Sequence, residues 1–301
     1  MKKFFWMLLS LSFGFLAGPA HAALNIFACE PEWAALASEL GGDKVKVSSA
    51  TTALQNPHRI EARPSLIARA RNADLLACTG LELEVGWLPI LLQQSANPKI
   101  APGSPGNFVA GNYVKRLEIP VRLDRSDGDV HASGNPHIQQ DPHNIARIAE
   151  ALAKRLSEID PANASFYQDR YKDFSAKWNM AIQKWEREAL PLKGVPVIAH
   201  HKNMEYLLHW LSMPLAGTLE PKPGVEPSAS HLAELLKQLQ RQPAKMVIRA
   251  AYQDARASEW LAEHAHVPAV ALPFTVGADA QAKDLFGLFD ETIQRLLGAV
   301  K

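Results

Sequence analysis

The chain has 301 residues, with 32 Lys and Arg against 31 Asp and Glu and a 47% hydrophobic content, so it can build one large or two ordinary domains around a substantial core. A charge balance this even leaves no basic footprint for nucleic acid and no attraction to an acidic membrane surface, and we expect neither as a partner.

Residues 1–22 read as a cleavable secretory signal: Lys2 and Lys3 start it, Phe4 to Leu16 form an apolar core, and Ala20-His21-Ala22 supplies a small-residue cleavage site. The apolar run is too short to span a bilayer comfortably. No lipid-attachment pattern precedes Cys29, so the mature chain is expected to be soluble and periplasmic. Cys29 and Cys78 each follow a short apolar run, LNIFAC and DLLAC. If both runs are parallel strands of one sheet, the two sulfurs share an edge and a disulfide fits an oxidising compartment; the alternative is a pair of buried thiols.

From Ala23 short apolar strands alternate with amphipathic helices: Leu24 to Ala28, a helix from Pro31 to about Leu40, Val45 to Ser49, a helix after Pro64, Asp74 to Cys78, and a helix through Trp87 and Leu91. Strands separated by helical segments predict βαβ units and a parallel sheet. Residues 101–135 are rich in Pro, Gly, Asn and Asp and read as irregular connection, with strand-like pieces at Asn107 to Ala110 and Val114 to Val121. The only histidine there, His131, is read as a solvated loop residue.

After Asp141-Pro142, Ile145, Ile148, Leu152 and Leu156 share one helical face. Asp160-Pro161 then opens a second helix, from about Ala162 to Leu190, which at 1.5 Å per residue would extend roughly 43 Å. A second alternating series follows: Val195 to Ala199, a helix from Asn203 to Leu211, a helix with Leu232, Leu235 and Leu239, Met246 to Arg249, a helix through Trp260, Val267 to Leu272, and a last helix with Leu285, Phe289, Ile293 and Leu296. The predicted fold class is therefore α/β, with two lobes, each a parallel sheet flanked by helices, joined by one long backbone helix. The expected boundaries are a leader at 1–22, an N-terminal lobe at 23–160, the connecting helix at 161–190 and a C-terminal lobe at 191–301.

Three histidines stand in comparable loops at strand ends: His58 in QNPHRIEARPS, His137 in GNPHIQQDPH and His201 in VIAHHKNMEY. The prolines hold the backbone around the first two extended and turned. Open parallel sheets bind ligands beyond the carboxyl ends of their strands, where such loops lie, so the three imidazoles point to one metal site.

These stretches, together with GDVHASGNPHIQQDP and LEPKPGVEPSASHLAEL, resemble the metal-binding solute-binding proteins of bacterial ABC transporters, the cluster A-I family that delivers zinc or manganese. The likeness runs along the whole mature chain. It implies His58, His137 and His201 as ligands, His201 rather than His200 because it keeps the spacing to Tyr206, and a fourth, carboxylate ligand from the second lobe. The family's usual acidic positions read Arg249 and Leu272-Pro273-Phe274 here, so the next acid in that loop, Asp279, is the expected fourth ligand, with Glu226 in reserve. The other reading of Asp279 is as the cap of the last helix. A carboxylate would balance part of the charge that three neutral imidazoles leave on a divalent ion.

Three nitrogens and one oxygen suit Zn2+ as the transported ligand better than manganese, which favours oxygen. The resemblance also implies an ABC permease and its ATPase as partners, with a periplasmic metallochaperone as a further one, and a monomeric chain. Two other readings stay open: a manganese-specific solute-binding protein, and a secreted zinc hydrolase using an open fourth position. Against the hydrolase, the sequence holds neither an HExxH nor a G-x-S-x-G pattern.

Overall fold

The structure is a computed structural model that describes residues 22–122, 124 and 128–300. The expected leader, apart from Ala22, lies outside the described residues. No helix among those described is long and apolar enough to cross a membrane.

Two four-stranded sheets are built from βαβ units, as the alternation predicts. In the first, β1 (Leu24–Ala28), β2 (Val45–Ser49), β3 (Leu75–Cys78) and β4 (Asn107–Val109) pair in parallel in the order β2-β1-β3-β4. Helices α1 (Pro31–Gly41), α2 (Pro64–Arg71) and α3 (Leu88–Ser95) make its crossovers. In the second, β5 (Val197–Ala199), β6 (Leu215–Thr218), β7 (Met246–Ala250) and β8 (Ala269–Leu272) repeat the pattern as β6-β5-β7-β8, again parallel. Its helices are α6 (Glu205–Leu211), α7 (Ala229–Arg241), α8 (Arg256–Ala265) and α9 (Leu285–Ala299). Each sheet reverses direction beside its first strand, which leaves a crevice at the carboxyl ends.

Between the sheets run α4 (Pro142–Ile159) and α5 (Ala164–Glu188). The predicted start at Ala162 is occupied by a 3-10 turn over Pro161–Asn163, and a second such turn over Leu190–Leu192 replaces the predicted end. Spacings of seven, four and seven put Tyr167, Phe174, Trp178 and Trp185 on one buried face of α5. Phe174 stacks on Trp178 at 5.2 Å, and Trp178 and Trp185 meet Phe286 and Phe289 of α9. The indole N–H of Trp178 donates to the Pro142 carbonyl at the start of α4 (2.9 Å), and that of Trp185 to Asp290 of α9 (2.6 Å). One apolar cluster consequently runs from Ile26 and Leu75 in the first sheet through this ladder to Ile248 and Leu296 in the second half.

Cys29 and Cys78 stand at the carboxyl ends of neighbouring strands and form a disulfide, with Cα atoms 4.8 Å apart. Two sequence expectations fail. Val114 to Val121 is no strand: Glu118 takes a left-handed φ of 50°, and Pro120 has no N–H to give a ladder. Conversely, β6 has no counterpart in the sequence reading, because Ala216 and Gly217 at its centre have low strand propensity.

Candidate metal centre

All three predicted histidines occupy loops beyond the carboxyl ends of strands, and two of the loops share a device. In Asn56-Pro57-His58 and again in Asn135-Pro136-His137, the Asn side-chain oxygen accepts the histidine N–H, at 3.0 Å in both cases. This Asx turn, with the proline fixing φ between its ends, presents each ring from a rigid backbone. The Trp87 indole anchors the first loop by donating to the Pro57 carbonyl (2.9 Å). His201 arrives directly from the end of β5, two residues past Ala199.

The structure brings the three rings together. One donor nitrogen from each of His58, His137 and His201 lies within 4.8 Å of the others. His58 is 5.3 Å from His137 and 6.4 Å from His201 between ring centroids, with edges turned to faces. His137 is 1% exposed, and neither of its ring nitrogens has a hydrogen-bond partner; Nε2 of His58 is likewise buried and unpartnered. Buried imidazole nitrogens normally find partners, so neutral rings left with an unpartnered nitrogen, one from each meeting the others within 4.8 Å, keep a lone pair free to ligate. Burial, and then the neighbouring rings, hold His137 well below the usual imidazole pKa and push His58 down to about 3, so both are neutral and able to ligate.

His201 differs. Its Nδ1 donates to Glu220 at 2.6 Å, which leaves Nε2 for the shared centre. Glu220 sits just beyond β6 and also accepts the Gly224 N–H (2.7 Å). Nothing in the sequence singles it out, because the strand before it has Ala-Gly at its centre and shows no strand pattern. His200 is the ring on the far side of the doublet, its Nε2 3.9 Å from Glu220, and it is not among the three converging donors.

The structure does not bring Asp279 to these rings. Its carboxylate accepts the N–H groups of Gln281 (3.0 Å) and Ala282 (2.8 Å) and pairs with Arg295 at 2.6 Å. The N-cap of α9 is Asp284, so Asp279 holds a preceding turn instead. Where the loop does approach the centre it offers Phe274, whose ring meets His137 edge to face at 5.5 Å. Glu226 is exposed and lines a neighbouring cavity with His200 and Glu220. A further ring missed by the sequence reading is His131, which is half-buried and stacks on His58 at 5.1 Å instead of pointing to solvent.

Residues 26–299 match the family described as ZnuA, zinc-uptake complex component A, periplasmic. The chain belongs to that family. Its members are substrate-binding components of metal ABC transporters and are not enzymes. Among relatives, the metal ABC transporter substrate-binding lipoprotein SloC of Streptococcus mutans is 24% identical over 274 residues, covering 89% of this chain and 86% of SloC. The manganese ABC transporter substrate-binding lipoprotein PsaA of Streptococcus pneumoniae is 21% identical, covering 87% and 83%. Among solved structures, a ZnuA crystal structure superposes with a TM-score of 0.77 at 22% identity, covering 93% of this chain and all of the other. FpvC of Pseudomonas aeruginosa, in complex with Mn2+, gives 0.76 at 21% identity, covering 92% of this chain and 98% of its own.

Proposed function

We propose that this chain captures Zn(II) between its lobes, 23–160 and 191–301, and delivers it to an ABC permease driven by its ATPase. Its ligands in this reading are His58, His137 and His201. The observation that carries it is the convergence of three imidazole nitrogens within 4.8 Å, two of the rings with buried nitrogens that bond to nothing else. Only neutral rings ligate, and burial keeps His58 and His137 so. His58 and His137 come from the first lobe and His201 from the second, so a bound ion bonds to both. Asp279, occupied by Arg295 and two backbone N–H groups, is assigned to the turn it closes.

Nitrogen donors suit zinc, copper or nickel better than manganese. The manganese reading has support from the names of PsaA and of the FpvC complex. In this proposal the chain is exported by residues 1–22 and works as a periplasmic monomer, with a periplasmic metallochaperone as a further partner. Metal analysis of protein purified without added metal, followed by titration of zinc and manganese against a competing chelator, tests the reading. One tightly held zinc per chain is expected. Manganese bound as tightly as zinc would overturn the choice of cargo, and no tight binding of either would overturn the function.

A further inference from the structure

The three converging rings leave a divalent ion one ligand short of the tetrahedral set that zinc prefers. Three side chains can be weighed for the fourth place. Asp279 stands away from the rings and is committed elsewhere, as described. Glu220 already takes the Nδ1–H of His201 and the N–H of Gly224. His131 is the third, and its Nε2 is buried without a hydrogen-bond partner, like Nε2 of His58 and both nitrogens of His137.

The backbone around His131 explains why an imidazole from an irregular connection reaches the centre. Residues 128–135 form a strap tied to both halves of the molecule. The Asp129 N–H donates to the Pro223 carbonyl of the second lobe (2.8 Å), and the Ala132 N–H donates to Glu82 of the first (2.7 Å). Gly128 makes the first tie feasible, since at a φ of 83° any Cβ would stand 2.2 Å from the Pro223 oxygen. His131 lies between the ties. Its ring stacks on His58 with planes 24° apart, and the cavity it lines also holds His137 and His201.

We propose that His131 is the fourth metal ligand of this site, completing an all-imidazole set with His58, His137 and His201. The proposal rests on the functional reading above. The donor atoms of the other three are already within 4.8 Å of one another and His131 is outside that group, so its ring turns from the face of His58 toward the ion as the ion arrives. The carboxylates of Glu82 and Asp129 act electrostatically on this ring and offset part of the charge that a fourth neutral donor leaves on the metal. Four nitrogens and no carboxylate make the site poor for manganese, which favours oxygen. The strap thereby acts both as a closing element and as a selectivity element.

Cobalt(II) in place of zinc reports the coordination directly, because four-coordinate Co(II) has far stronger visible d–d bands than five- or six-coordinate Co(II). In the parent protein we expect the strong bands. His131→Ala, with water in place of the fourth nitrogen, should shift the bands away from the parent spectrum and weaken zinc about 10- to 100-fold, the range typical of lost supporting contacts at metal sites. In His131→Gly, free imidazole should restore the parent bands, which a merely structural role for the strap would not allow. His131→Asp should narrow the preference for zinc over manganese, and Asp279→Asn should match the parent in spectrum and zinc affinity. Parent-like spectrum and affinity in His131→Ala, or the loss appearing in Asp279→Asn, would overturn the assignment while leaving zinc capture intact. If the parent and His137→Ala alike bind neither metal, the functional reading falls, and this proposal with it.

Discussion

His137 carries more of the site than any other side chain, because both of its nitrogens are buried and unpartnered in the described structure. Removing it leaves two rings that come from opposite lobes. His137→Ala should weaken zinc by well over the roughly 100-fold upper range for supporting residues, while His143→Ala, a ring paired with Glu186 on the surface, should change it less than about twofold. Chelator competition measures both, and a comparable loss in the two variants would remove His137 from the centre. Glu220 acts through another residue, holding the Nδ1–H of His201 so that Nε2 is left for the shared centre. Glu220→Gln should cost about 10- to 100-fold in zinc affinity without unfolding the chain; unchanged affinity would show that His201 needs no such partner. The three converging rings are legible in the sequence because each follows Asn-Pro or the end of a strand with a strong apolar pattern. Glu220 and His131 are not. One follows a strand whose centre is Ala-Gly, and the other sits in a segment whose composition reads only as loop, its position fixed by contacts to Pro223 and Glu82 that lie far away in sequence.

At the scale of elements, the order of strands and helices follows from alternating apolar runs, and seven of the eight strands among the described residues are visible that way. The exceptions have local causes: a left-handed Glu118 and a proline stop the 114–121 run, and small residues hide β6. The disulfide between the ends of β1 and β3 also follows from the pattern, since two parallel strands that are neighbours in a sheet bring equivalent positions into bridging range. It closes a loop with a sequence separation of 49. In the chain-entropy model this restricts the unfolded chain by about 4 kcal/mol. Reduction, or Cys29→Ala with Cys78→Ala, should therefore lower the melting temperature clearly. Zinc affinity should change by less than about twofold, because Cys29 and Cys78 belong to a core cluster that contains none of the three rings. A large loss of affinity in a folded, reduced protein would mean that β1 and β3 set the geometry of the His58 loop through this bridge.

The two halves of the molecule are joined at more than the connecting helix. Gln140 donates to the Phe274 carbonyl (2.7 Å), Tyr206 donates to the Asn135 carbonyl (3.0 Å), and the Thr275 hydroxyl donates to Glu32 at the start of α1. With a single apolar cluster running through α5, these contacts favour small tilts of the lobes over a wide hinge.

The Glu32 contact makes that junction sensitive to pH. Glu32 is fully buried, and burial, only partly offset by the Thr275 hydroxyl, pushes its carboxyl up to about 7. Beside it, Glu30 and Glu84 are buried too, and burial raises both, Glu30 further through its carboxylate neighbours. A carboxyl whose folded pKa lies above its unfolded value holds its proton more tightly when folded. Its stabilisation is therefore complete below the unfolded value near 4.5 and disappears as pH rises through about 7. For Glu32 alone the span corresponds to on the order of 3 kcal/mol. In metal-free protein the buried neutral His58 and His137 act the other way, since rings with depressed folded values lose stability as pH falls below about 6.5, so the Glu32 contribution is read as the difference between parent and variant. Glu32→Gln, which keeps an acceptor for Thr275 and cannot ionise, should gain melting temperature relative to the parent from pH 5.5 to pH 8 and melt above it at pH 8. A constant difference between the two across that range would place no pH dependence in Glu32, and a variant melting below the parent at pH 8 would show that the junction stabilises the ionised carboxylate.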